Sequence, residues 1–217
     1  MAYSYTGVFP NQQLKNSGVF TVKDALNLEA VGEWGGSLEL IEKQTVSGTP
    51  LTVDFDNIKS SKYNTHFITF NKVEGESTTA QDLRMRLSND NGSSFESGSS
   101  YTYAALSGAA SGTFSEEQSG GLTTSFVTVP DLDKETYSTL NGYVYLYNAG
   151  DSSLYTGYTC QNILFQTAVG TRWRNGGGSY NVAETINGLQ FLTLSGGGFS
   201  GGVFKVYGVK QIWVNYD

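Results

Sequence analysis

The sequence predicts an all-β fold: an antiparallel β-sandwich of jelly-roll type behind a short N-terminal leader. Three observations carry this. From Ser37 onward apolar and polar residues alternate with a period of two, the pattern of strands with one buried and one wet face. The 217 residues include 14 Tyr, 12 Phe and 27 Gly but only 3 Pro, a composition suited to pleated strands joined by glycine turns. The apolar fraction of 38 % is high enough to bury a core that offsets the entropy of ordering the chain. A single main domain, 37–217, is expected, because sandwiches of this length commonly form one core.

Residues 1–36 differ in texture and form the expected leader. The string LKNSGVFTVKDALNLEAV holds one short helical pattern over 22–30, with Thr21 as its N-cap. A helix of that length is unstable alone, because nucleation is costly and few propagation steps follow. The leader therefore needs a partner surface, and Phe9, Leu14, Val19, Phe20, Leu26 and Leu28 are the apolar groups that would contact it. Trp34 is placed to pin the junction ahead of the Gly35-Gly36 break.

Beyond that break, 37–45, 50–58 and 63–73 read as strands. In 81–88, Leu83, Met85 and Leu87 alternate with Asp82, Arg84 and Arg86, which fixes one inward and one outward face. The string GYVYLYN over 142–148 sets Tyr143, Tyr145 and Tyr147 against Val144 and Leu146. Residues 154–168 and 171–174 form a further pair, and 186–194, 203–210 and 211–216 close the chain. Eight to ten strands at this spacing suit a sandwich or jelly roll. No fixed-period repeat points to a solenoid, propeller or β-helix. The predicted core is Leu83, Met85, Leu87, one of Phe67 and Ile68, Val144, Leu146, Phe191, Phe204 and Val206.

A net charge of −7 argues against binding along a nucleic-acid backbone, which needs clustered Lys and Arg. Neither a signal peptide nor an apolar run long enough to cross a membrane is present, so no membrane insertion is expected. The single cysteine, Cys160, cannot form an intrachain disulfide, in keeping with assembly in a reducing cytoplasm.

Catalytic patterns are weak. His66 in YNTHFITF has no Ser, Cys or second His at an activating spacing, and Cys160 lies in an apolar strand without an electropositive neighbour. One His and one Cys make no zinc set, and no metal or cofactor is expected. The i, i+2 carboxylates Asp54 and Asp56, Glu74 and Glu76, and Asp131 and Asp133 have the chemistry of a glycosidase pair or a calcium site. With twenty acids such pairs arise by chance, and solvated strand ends explain them. Asn89, Asp90 and Asn91 in SNDNGSS form the best calcium loop, although Asn-Gly reads first as a turn. The string GGGFSG at 196–201 matches a dinucleotide fingerprint by letter only, because a β-pattern follows it instead of a helix. That loop and 175–178 use glycine for tight bends or close approach of chains. The tyrosine ladder has two readings: cross-strand stacking, or an aromatic platform for sugars or a partner chain, with Tyr143, Tyr145, Tyr147, Trp173 and Tyr180 as contact residues and Tyr155 and Tyr158 added if the ligand is a glycan.

Several strings resemble known ones. LRMRLSNDNGSSFESGSSYTY is similar to a segment recurring in small β-sandwich virion proteins of tailed bacteriophages, in which a strand ends in an Asn/Asp-Gly-Ser turn before a tyrosine-rich strand. YNTHFITFNKV and the closing GGVFKVYGVKQI resemble further strands of such domains, and LKNSGVFTVKDALNLEAVGEW resembles a leader of marine and cyanobacterial phage structural proteins. The resemblance covers about half the chain and brings no catalytic residues. It implies a non-enzymatic structural protein on the virion surface, of tail-fibre, baseplate or head-decoration type, assembled in the host cytoplasm. Its partners would be other virion proteins through the leader, sister subunits in a homo-oligomer, with a trimer favoured, and a host-surface glycan. A glycan-binding lectin-like module and a glycoside hydrolase are the alternatives.

Overall fold

The computed structural model describes residues 37–134, 138–166, 170–194 and 197–210, with the backbone alone at 129–131. The leader helix, its six contact residues, Trp34 and the strand expected at 211–216 lie outside the described residues. The described chain is built of strands: β1 (Leu38–Thr45), β2 (Thr52–Phe55), β3 (Thr65–Gly75), β4 (Gln81–Ser88), β5 (Tyr101–Ala109), β6 (Phe114–Gln118), β7 (Phe126–Leu132), β8 (Thr139–Tyr147), β9 (Tyr155–Gln166), β10 (Gly170–Ala183), β11 (Gly188–Thr193) and β12 (Phe199–Val209). They form an eight-stranded sheet, β1-β12-β3-β8-β9-β10-β5-β6, and a four-stranded sheet, β2-β11-β4-β7. The pairings are antiparallel, and the two sheets pack as the expected β-sandwich.

Parity decides what each strand buries. On β4, Leu83, Met85 and Leu87 point inward as predicted and are sealed from solvent. Phe191 on β11 meets Phe70 on β3 and Phe204 on β12, with ring centroids 6.1 and 5.0 Å apart, so aromatic rings from both sheets interlock. Val144, Leu146 and Val206 complete the predicted set. Of Phe67 and Ile68, the inward residue is Ile68, while Phe67 faces outward.

Three strands escape the periodicity. β6 reads FSEEQ and is mostly exposed; as the edge of the large sheet it needs only backbone pairing with β5. β7 contains Pro130, which demotes a strand reading, yet β7 is the edge of the small sheet, where one side of the backbone needs no ladder partner. β5 carries the tyrosine-rich string of the resemblance and leads into β6 at the edge of the large sheet.

Of the two readings of 175–178, tight bend or close approach of chains, the structure bears out the second. β10 runs straight through these residues from Gly170 to Ala183. The glycines act by close approach. A Cβ at Gly178 would overlap the Thr102 carbonyl oxygen, one at Gly177 would lie 2.8 Å from the Tyr158 carbonyl oxygen, and one at Gly176 2.6 Å from Ala105 Cβ. Positive φ does operate at Gly198 (φ 73°), where the chain turns into β12.

Candidate functional site

The outward face of the eight-stranded sheet gathers most of the aromatic residues singled out from the sequence. Tyr143, Tyr145 and Tyr147 lie there along β8, because Val144 and Leu146 between them are buried. Phe67 on β3 sits against Tyr143 (5.6 Å), Tyr145 (4.8 Å) and Tyr207 of β12 (6.1 Å). Tyr145 and Tyr147 are nearly parallel, at 14°. Two of the hydroxyls are engaged across the strand pair: Tyr143 donates to Gln161 Oε1, and Tyr147 shares a hydrogen bond of 3.1 Å with Thr159 Oγ1. The ladder is therefore cross-strand packing that leaves ring edges and faces partly accessible.

Trp173 occupies the same face two strands away, on β10. Its indole lies over Gly108 of β5, where an added Cβ would stand 2.7 Å from Nε1. Glycine at 108 is thus what lets the ring settle on the sheet. Phe114 of β6 adjoins it, with centroids 6.4 Å apart.

Tyr180 does not belong to this face. It is 2 % exposed, packs 4.9 Å from the Tyr101 ring, and donates to Glu184 Oε1 at 2.7 Å. Tyr158 is likewise buried. The reason is arithmetic: β10 is continuous from Trp173 to Tyr180, an odd spacing, and successive side chains alternate faces. A strand read as ending at Arg174 hides that relation.

The groups with possible chemistry are dispersed. Cys160 is buried, and desolvation pushes its thiol up to about 11, away from nucleophilic character. Asp54 accepts from the Gln190 amide (3.0 Å) and Thr52 (3.3 Å) on the small sheet, while Asp133 accepts from Ser138 (2.8 Å) and Gln166 (3.1 Å). Glu76 pairs with Lys134 at 2.7 Å. Asp90 closes its own turn: the Ser94 hydroxyl, the Ser94 N–H and the Ser88 hydroxyl all donate to its carboxylate and hold its pKa below the usual value. Asn91 and Gly92 supply the two positive φ angles of that turn, 56° and 75°. Among the described residues no cluster of three His, Cys, Asp or Glu is placed to hold a metal.

His66 is fully buried on the inward side of β3, with Nε2–H donating to the Ile58 carbonyl at 2.8 Å and Nδ1 unpartnered. Burial pushes its pKa down to about 4 from 6.5. Between these values the unfolded chain binds the proton and the folded chain does not. Stability is therefore full above pH 6.5 and falls as pH drops toward 4, by about 3 kcal/mol from this residue. Urea unfolding at pH 7 and pH 4 should show a larger loss for the wild type than for His66→Gln; equal losses would place the proton elsewhere.

One feature gave little sign in the sequence. Arg174 directly follows Trp173 on β10 and therefore faces the opposite, inward side: it is paired across the sheet with Ser107 and Asn162, and is 1 % exposed. Its Nη1 lies 2.9 Å from Glu117 Oε2 of the edge strand β6, and its guanidinium stands 5.9 Å from the centre of the Tyr103 ring. The contact to Glu117 is an ion pair without hydrogen-bond alignment, and the guanidinium nitrogens have no hydrogen-bond partner. The TRWRN string marks the strand but not which neighbour neutralises it.

No protein-family profile, curated protein or solved structure matches this chain.

Proposed function

We propose that this chain is a non-enzymatic structural protein of a tailed-phage virion, exposed on the particle surface as a tail, fibre or capsid-decoration component and assembled as a homo-oligomer, with a trimer favoured. The observation that carries the reading is where the resembling strings fall. LRMRLSNDNGSSFESGSSYTY spans β4, the Asp90 turn and the start of β5, YNTHFITFNKV spans most of β3, and GGVFKVYGVK spans most of β12. These are framework pieces. Tyr101 illustrates the point, since its hydroxyl donates to the Glu96 carbonyl (2.9 Å) and accepts from the Leu87 N–H (3.1 Å), tying β5 to the end of β4. Residues 1–36 are proposed to dock on neighbouring virion proteins. Within the Asp54 and Asp56 pair, Asp54 is engaged by Gln190 and Thr52 on the small sheet, which fits a structural role for that carboxylate.

Gold-labelled antibody against the chain, applied to purified particles and viewed by electron microscopy, is expected to decorate the particle surface. Gold confined to the background would refute the location. Purified protein is also expected to release no reducing sugar from host polysaccharide. Release abolished by Asp54→Asn or Asp56→Asn would replace this reading with a glycoside hydrolase.

A second reading, a glycan-binding module, is favoured by the partly accessible rings of Tyr143, Tyr145, Tyr147 and Trp173 on one sheet face. Saturable binding on a glycan array, lost in Tyr147→Ala, would select it.

A further inference from the structure

We propose that the outward face of the large sheet around Trp173 is where copies of this chain meet one another. The pairing register places the residues side by side. Phe114 of β6 and Trp173 of β10 flank Gly108 of β5, Ile163 of β9 lies beside Trp173, and Leu106 of β5 lies beside Asn175 one step along. Phe114 is 73 % and Leu106 53 % exposed, and Trp173, Ile163 and Phe165 are exposed with them. A contiguous apolar patch of this kind on a sheet marks a contact surface, because soluble monomers rarely leave one in water.

The chemistry of the patch selects its occupant. Phe114 stands at 64° to the indole, and aliphatic Leu106 and Ile163 flank the pair, so no coplanar platform is offered to a sugar ring. From β8 across β9, β10 and β5 to β6, the outward residues include one charged side chain, Glu116. In a chain of net charge −7 the part of this face inward of Glu116 lets identical molecules approach without bringing carboxylates together. Around a symmetry axis through the patch each residue meets its own equivalents, so the surface must match itself, and an apolar surface whose one charge, Glu116, stands at its β6 margin does. The edge of β6, which pairs only with β5 among the described residues, is a poorer route, since pairing it with its own copy would set Glu116 and Glu117 against like charges.

This contact extends the homo-oligomer of the proposed reading but requires no virion. Its failure would leave the particle location standing, and failure of that location would leave the contact standing. Sedimentation velocity of the full chain at micromolar concentrations is the test. The wild type is expected at a multiple of the chain mass, and Leu106→Lys with Phe114→Lys at the single-chain mass with an unchanged melting midpoint. Should the double variant lose its β-sheet circular dichroism, Phe114→Ser alone decides, with self-association expected to weaken about tenfold or more. A wild type at the single-chain mass, or an oligomer unaffected by these substitutions, would overturn the proposal.

Discussion

Glu117→Ala is expected to destabilise the fold by about 3–5 kcal/mol, an effect far beyond that of an ordinary edge-strand substitution. The loss arises at Arg174. Its guanidinium is buried, the Glu117 carboxylate 2.9 Å away is its ionic partner, and removing that partner leaves a charge in a region that excludes water. Glu117 itself is about one-third exposed, so the effect belongs at the lower end of that range. Arg174→Met should behave oppositely, because replacing the buried cation with an apolar side chain of similar length removes the desolvation cost as well as the attraction. It is expected to be neutral or stabilising, and in the double variant it should cancel most of the Glu117→Ala loss. Urea midpoints of the four proteins give the cycle. A Glu117→Ala loss below about 1 kcal/mol would mean that water reaches Arg174.

Phe204→Ala is expected to cost about 3–5 kcal/mol. Phe204 is fully buried on β12 and touches Phe70 beside it, Phe191 on the opposite sheet and Phe199 at the start of its own strand, with centroids 6.4, 5.0 and 5.7 Å away. Neighbours anchored in two sheets cannot close on the space it leaves, so the cavity persists and the cost is high. The β12 string VFKVYGV places Phe204 and Val206 on one parity, and a loss below about 1 kcal/mol would show that parity to be reversed.

The parts of the fold that were legible are those where burial on one face imposes a period of two. β4 matches its expected bounds of 81–88, and the core positions on β4, β8, β11 and β12 follow by parity alone. The parts that were not legible are those in which another force chooses the residues. β6 needs backbone partners only, so its side chains are free to be Ser, Glu and Gln. In β10 the run Gly176, Gly177, Gly178 is selected by crowding from Ala105, Tyr158 and Thr102 on flanking strands, which are distant in sequence. A strand that ends at Arg174 hides the odd spacing from Trp173 to Tyr180, which the continuous β10 turns into opposite faces. The aromatic face was half legible: the alternation of GYVYLYN showed that three tyrosines share a side, but their neighbours Phe67, Thr159 and Gln161 come from strand order, which the sequence does not state. Trp173 and Phe114 likewise meet only because Gly108 lies between them.

Quantitative mass spectrometry of gradient-purified particles decides whether this chain is built into a virion, as proposed. Peptides from both residues 1–36 and the β-sandwich are expected in the particle band, at a fixed ratio to the major capsid protein that persists through a second gradient. Peptides confined to the soluble lysate, or a ratio that falls with each purification, would contradict it.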